Sequence, residues 1–175
     1  MQEIKLLRAG VADIPAIREL AVRIWNQHYP TVISRRQIDY MLDKMYSENS
    51  LLQQMQEKQH QFFYIVAGQE KAGFISLFEE KSGHWFINKY YIDQQKAAKG
   101  LGSAAFKELV KHTSATTFHL TVNRQNYKAI NFYFKNGFTI ESVADFDIGD
   151  GYEMNDFVMV WNSKLTQGKL GQEKP

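Results

Sequence analysis

The chain has 175 residues, 44% hydrophobic and 14% aromatic, with 21 Lys and Arg against 19 Asp and Glu, a net charge of +2 and no cysteine. That size and apolar share suit one globular domain with a real core, and the near-balanced charge gives no case for nucleic acid or an anionic membrane as partner. The missing cysteine excludes disulfides, cysteinyl metal sites and a cysteine nucleophile, and it fits a reducing cytoplasm.

Met1 to Lys5 carries no apolar signal region, and no run approaches membrane-spanning length. Ile4 to Leu7 reads as a short strand. Asp13 can cap a helix with Pro15 in its first turn, and Ile14, Ile17, Leu20, Ala21 and Ile24 recur at helical spacing to about Tyr29. Pro30 stops it. Ser34 caps a second helix carrying Ile38, Met41, Leu42 and Met45, and Ser50 caps a third over Leu51 to Lys58.

The period then changes. Phe62–Ala67, Ala72–Glu79 and His84–Ile92 read as strands joined by tight turns, an antiparallel meander. After Ile92 comes the stretch that organises the chain, Asp93-Gln94-Gln95-Lys96-Ala97-Ala98-Lys99-Gly100-Leu101-Gly102. It opens an amphipathic helix, Gly102–His112, with Leu101, Ala105, Phe106, Leu109 and Val110 on one side. A glycine turn at a helix start presents unpaired N–H groups and the positive end of the helix dipole, which suits a phosphate. Lys96 and Lys99 add positive charge. Alone, Gly-x-Gly is weak evidence and also fits a plain strand–turn–helix corner.

Strand Phe118–Val122 follows, then helix Asn126–Lys135, then strands near Phe138–Phe146 and Tyr152–Trp161. On the second of these helices Asn126, Ala129 and Tyr133 share one stripe. Ile130, Phe134 and Phe138 form the neighbouring apolar stripe and read as core, with Gly137 as the helix stop. Asn126 also reads as a capping residue, and Tyr133 as a core aromatic with a satisfied hydroxyl. Residues 164–175 are polar and read as a frayed tail, leaving 1–163 as the domain.

The pairing of basic Gly-x-Gly loop with Asn-x-x-Ala-x-x-x-Tyr-x-x-x-Gly-Phe (Asn126 to Phe138) resembles the GNAT superfamily of N-acetyltransferases. The resemblance runs from Ile4 to Trp161. It implies a single-domain α/β fold, a mixed seven-stranded sheet flanked by helices in the order β-α-α-β-β-β-α-β-α-β-β. It also implies acetyl-CoA as cosubstrate, its pyrophosphate held by Ala97, Ala98, Lys99, Gly100, Leu101, Gly102 and Ser103. The family's loop begins with a long polar residue where this chain has Ala97, which puts a side-chain contact there in doubt but leaves the backbone N–H groups. By the same resemblance the pantetheine arm lies between two splayed parallel strands, pairing with the Ile92 backbone and with Asn126. Tyr133 then sits by the thioester sulfur.

Acetyl transfer to an amine needs a neutral amine, a donor for the oxyanion and a proton for the leaving thiolate. An alkyl amine of pKa about 10.4 is only roughly one part in two thousand neutral at pH 7, a cost of about 4.6 kcal/mol. A strand N–H near Tyr91 or Ile92 serves the oxyanion. A phenol of pKa about 10 can protonate the thiolate, so Tyr133 is the general-acid candidate. Many relatives place a glutamate on the strand before the loop; here those positions are Asn88, Lys89, Tyr90 and Tyr91. Glu153 is a weak general-base candidate, with Glu79 and Asp93 as others, all equally readable as surface groups.

Asn136 to Ser163 holds Glu141, Asp145, Asp147, Asp150, Glu153 and Asp156 and no Lys or Arg. Trp25 to Tyr46 is aromatic-rich. By resemblance these regions line the acceptor pocket, with Trp25, Tyr29, Tyr40, Tyr90 and Glu153 as substrate-binding candidates. An acidic, aromatic-lined site suits a small cationic amine. Ile38–Tyr46 and Ile148–Met159 are similar to a bacterial subgroup that acetylates polyamines such as spermidine. The same residues also read as core aromatics and solubilising acids.

Three alternatives are weighed. Gly100 to Ala105 matches Gly-x-Gly-x-x-Ala, but three strands precede it and Thr121-Val122-Asn123 stand where a dinucleotide site needs an acid. His28, His60, His84, His112 and His119 lack metal-ligand spacing. A non-catalytic acyl-CoA-binding sensor or partner module is favoured by Ala97 and the missing strand glutamate and opposed by Asn126 and Tyr133. A homodimer through the sheet or the C-terminal strands is left open.

Overall fold

The computed structural model describes residues 3–164. The tail expected at 164–175 lies outside the described residues from position 165 on. The elements are β1 (Ile4–Ala9), a 3-10 turn (Val11–Asp13), α1 (Ile14–His28), α2 (Arg35–Tyr46), α3 (Glu48–Gln56), β2 (Gln61–Ala67), β3 (Glu70–Lys81) and β4 (His84–Ile92). Then follow α4 (Leu101–Thr113), β5 (Thr117–Asn123), α5 (Tyr127–Lys135), β6 (Thr139–Gly149) and β7 (Tyr152–Asn162). The strands form one seven-stranded sheet in the order β1-β2-β3-β4-β5-β7-β6. It is mixed: β4 and β5 run parallel, and the pairs β1–β2, β2–β3, β5–β7 and β6–β7 run antiparallel.

The expected order holds, and the third helix read before β2 is present, so three helices separate β1 from β2. The third starts earlier than Leu51. Ser47 is the residue that caps it, accepting the Ser50 N–H at 3.3 Å, so Ser50 lies inside the helix. A serine helps a helix start when its backbone is extended, as Ser47 is at ψ 155. The final strands form a tight hairpin: Gly149 pairs with Tyr152 across Asp150-Gly151, whose φ angles of 55 and 76 suit a type I′ turn.

The chain divides into two compact units. Unit one comprises the chain through Phe78 and Asn88–Leu109; unit two comprises Glu79–Ile87 and the chain from Val110 onward. The core of unit one is the sealed set Ile17, Ile24, Ile38, Leu51, Phe62, Phe74 and Ile75. Unit two is packed around Phe118, Leu120, Ile130, Phe138, Met159 and Trp161. Phe134, expected in that core, is 46% exposed. It stands about 40° past Ile130 on the side away from Tyr133, at the edge of the buried face of the helix.

Two features of unit one fix where β4 ends and the loop begins. Gly73 packs its bare Cα against β4: a Cβ there would stand 2.2 Å from the Tyr91 carbonyl oxygen and 3.1 Å from the Ile92 Cα. Just beyond, Asp93 is buried and accepts hydrogen bonds from Arg23 Nε at 2.9 Å, Gln27 Nε2 at 3.2 Å and the Gln95 N–H at 3.0 Å. Its own N–H donates to the Ala72 carbonyl at 2.9 Å.

Gly73→Ala is expected to lower stability by about 1–3 kcal/mol, the usual cost of overpacking a site with backbone on the far side. Chemical denaturation checks it; an unchanged midpoint would mean β3 and β4 part without cost. Asp93 predicts an acid limb. Burial raises its pKa, but the bonds from Gln27, Gln95 and Arg23 and the Arg23 charge outweigh that and hold it below the usual range. Its stabilisation is therefore complete above about pH 5 and is lost as pH falls through the ordinary value of about 3.9 toward the lower folded one. Thermal melts from pH 6 to 3 should show Asp93→Asn less stable than the parent at pH 6 and the gap closing toward pH 3.

Candidate active site

In unit one the site elements are the end of β4, the loop and the start of α4. The Lys96 N–H closes on the Asp93 carbonyl (3.1 Å) and the Leu101 N–H on the Ala98 carbonyl (3.1 Å). Gly100 has φ +87, a conformation costly for any side chain, and the space a Cβ would take there is empty. Ala104 N–H donates to the Gly100 carbonyl at 2.9 Å, an i→i−4 bond. The N–H groups of Gly102 and Ser103 precede that turn and have no carbonyl a full turn earlier within the helix to take them. Tyr90, expected on the acceptor side, donates its hydroxyl to the Gly102 carbonyl at 2.7 Å and so steadies the helix start. Lys96 lies 3.5 Å from Glu70, and Lys99 is exposed. This end of the loop offers an anion N–H groups, a helix dipole and a mobile ammonium.

Trp25, Tyr29 and Tyr91 come together. Trp25 is buried, stacks on Tyr29 at 4.2 Å between ring centres and donates Nε1–H to the Tyr46 hydroxyl at 3.3 Å. The Tyr29 and Tyr91 hydroxyls are 3.3 Å apart. His28, one residue before Tyr29, places Nε2 3.0 Å from the Ile92 carbonyl. A hydrogen bond there uses the Ile92 carbonyl. Tyr40 engages Lys44 one turn on, hydroxyl to ammonium at 3.2 Å.

On β4 itself, Lys89 is buried and donates to Gln54 Oε1 (2.5 Å) and to the side-chain oxygen of Asn88. Its ammonium lies 5.4 Å from the Tyr46 ring centre and 5.6 Å from that of Phe62. Burial, with the charge of Lys58, pulls its pKa down to about 7.

In unit two the site elements are the end of β5, α5 and the β6–β7 hairpin. Asn126 is the N-cap of α5, its side-chain oxygen accepting the Ala129 N–H at 3.2 Å, so the capping role read from the sequence is filled and its NH₂ group is separate from it. Tyr133 is 8% exposed, its ring against Phe132 and Phe138 at 5.3 Å each. Of the base candidates, Glu79 accepts the Gly83 N–H in the β3–β4 turn at 2.9 Å, and Asp93 is consumed by the loop. Glu153 is exposed on β7, across from Asp147. The acid that stands out is one the sequence hides among its neighbours. Asp156 is fully buried, and neither carboxylate oxygen makes a well-formed hydrogen bond. No local signal marks it: β7 buries Asp156, Met159 and Trp161 without regular alternation.

Among the described residues no group of His, Asp and Glu could hold a metal ion, and no helix is long and apolar enough to cross a membrane.

Comparison with known proteins meets this geometry from outside. The acetyltransferase (GNAT) family matches residues 14–138. A spermidine N(1)-acetyltransferase of Thermoplasma acidophilum is 25% identical over 159 residues, spanning 86% of this chain and 98% of that protein. A spermine/spermidine N(1)-acetyltransferase of Bacillus subtilis is 27% identical over 73 residues, 39% of this chain and 48% of that one. Among solved structures, the PaiA N-acetyltransferase of Thermoplasma acidophilum in complex with coenzyme A superposes with a TM-score of 0.72 at 24% identity, covering 91% of this chain and 99% of that one. The chain belongs to the acetyltransferase (GNAT) family and is an acetyl-CoA-dependent N-acetyltransferase.

Proposed function

We propose that this enzyme acetylates a small cationic amine, a polyamine of the spermidine class, in the cytoplasm. The observation that carries the reading is the end-to-end similarity to a spermidine N(1)-acetyltransferase, 98% of whose length this chain spans. The charge distribution supports it. Unit two presents the carboxylates of β6, β7 and their turn with no Lys or Arg from Asn136 to Ser163. Of these, Asp145 is taken by Arg124 at 2.6 Å, while Asp147, Asp150 and Glu153 are exposed. A polycation is drawn to such a surface, and the attraction weakens with salt.

The residue roles follow as part of the same proposal. The backbone from Ala97 to Ser103 holds the pyrophosphate of acetyl-CoA, with Lys99 beside it. The Asn126 NH₂ group donates to the pantetheine arm while its oxygen caps α5. The Ile92 N–H, rather than its carbonyl, pairs with that arm, since His28 occupies the carbonyl. Tyr133 protonates the departing thiolate. Glu153, exposed on the hairpin, meets the distal charge of the acceptor rather than the reacting nitrogen.

Thiol release from acetyl-CoA is expected to be saturable with spermidine. Its kcat/KM should exceed that of a monoamine of equal length by about tenfold or more, the worth of one charged hydrogen bond. Equal values for the two would remove the polyamine reading and leave a general amine acetyltransferase. Tyr133→Phe is expected to lower kcat by about a hundredfold while calorimetry gives an unchanged Kd for acetyl-CoA. Full turnover in that variant would take the proton donor's role from Tyr133.

A further inference from the structure

Unit two holds one charged group that its surroundings leave unsatisfied. Asp156 has 0% exposure, and its carboxylate oxygens make no well-formed hydrogen bond, with only the Thr121 hydroxyl placed to favour the charged form. Burying a carboxyl without donors is costly, and such groups persist mainly at functional sites.

Register sets its position. Asp156 stands opposite Asn123, the last residue of β5, and opposite Ala144 of β6. From Asn123 the chain turns directly into α5. The Asn123 carbonyl accepts the Asn126 N–H and its side chain the Gln125 N–H, each at 2.9 Å, while the Arg124 N–H donates to the Asn155 carbonyl at 2.9 Å. The carboxyl is thus built in at the foot of the helix that carries Asn126 and Tyr133. Strand alternation puts Thr121 and Asn123 on its face and Leu120, Val122, Phe157 and Met159 on the other.

The charged neighbours are accounted for from each strand. Arg124 is taken by Asp145 of β6 at 2.6 Å. His119, farther back on the same face of β5, lies 3.7 Å from Glu80 and 3.5 Å from Glu141. Glu153 falls on the opposite face of β7. Burial pushes the Asp156 carboxyl up to about 6; Asp145 adds to the rise, and the Thr121 hydroxyl and the Arg124 charge oppose it.

We propose that Asp156 is the general base of the transfer, taking a proton from the acceptor's ammonium at the foot of α5. This rests on the cationic-amine reading above. The ammonium gives one proton to the Asp156 carboxylate, and the freed lone pair forms the C–N bond at the thioester carbonyl. Collapse of the oxyanion re-forms C=O and breaks C–S, and the thiolate takes the Tyr133 proton. The second nitrogen proton returns to the Tyr133 phenolate through solvent, and Asp156 releases its own to solvent. An ammonium also supplies the donors that the carboxylate lacks in the free enzyme.

The test is the pH profile of kcat/KM for spermidine, in the parent and in Asp156→Asn. A base acting on the ammonium gives the parent a rise with an apparent pKa near 6 and a plateau above it. Asp156→Asn is expected to lose about a hundredfold or more at pH 7.5, to keep its acetyl-CoA affinity, and to rise steadily with pH toward the amine's own pKa. An acceptor amine already neutral at pH 7 should lose much less in the variant. Retained kcat/KM with an unchanged profile would overturn the role of Asp156 alone. No turnover by the parent with any amine would overturn the amine reading and this role together. Should Asp156→Asn not fold, the parent's profile decides: a steady rise through pH 6 to 9 without a plateau overturns the proposal.

Discussion

Asp93 is the constraint on which the loop of unit one depends. A buried ion pair repays its desolvation only when every lone pair is used, and here Arg23, Gln27 and the Gln95 N–H use them. Two of these three donors, Arg23 and Gln27, come from α1. Gln27 also accepts the Gln94 N–H at 3.1 Å, and His28 reaches the Ile92 carbonyl. Helix α1 therefore grips three consecutive residues, Ile92, Asp93 and Gln94, as the chain leaves β4. The direction of the loop follows, and with it the left-handed turn at Gly100 and the start of α4. Nothing in the loop itself is apolar enough to fix it; Gln94 to Gly100 are all exposed. The anion site is rigid because its base is anchored, not because it is packed.

Asp156 is the opposite case within the same chain. Asp93 is deeply buried with donors, and its pKa is held down; Asp156 is buried without them, and its pKa is pushed up. The first arrangement stabilises a shape. The second holds free energy in reserve until a donor arrives, and a cationic acceptor is a donor. Two carboxylates of similar burial are given different work by what their neighbouring strands and helices supply.

Much of this was legible in the sequence. The period change at Phe62, the turns at Gly68 and Gly83 and the glycine loop place β2 to α4 within a few residues. The strand His84–Ile92 agrees residue for residue. These elements are read from local patterning, and local patterning is what builds them. The misses share a cause: each needed a partner the sequence does not show. Ser47 and Ser50 both look like caps, and only backbone conformation separates them. Phe134 has the spacing of a core residue, but α5 leaves it at the edge of its buried face. Tyr90 looks like a free ring on a strand until its hydroxyl meets Gly102. Asp156 is one acid among six between Asn136 and Ser163; only pairing on both sides shows that it is sealed while Glu153 is not.

The lysine on β4 explains why the carboxylate had to come from elsewhere. The positions where relatives carry a glutamate include Lys89 here, and its shell is made for a cation. The Gln54 and Asn88 oxygens accept from it, and the faces of Tyr46 and Phe62 lie within cation–π range. A carboxylate in that shell would face two oxygens and two negative ring faces, each of the wrong sign. A carboxylate at Lys89 would require a rebuilt shell, with changes in α3 and β2 as well as β4. A pKa near 7 lets Lys89 shed part of its charge at neutral pH, which eases the burial further. In unit two the buried acid sits on β7. There a single aspartate opposite Asn123 enters the sheet without disturbing the apolar face formed by Leu120, Val122, Phe157 and Met159.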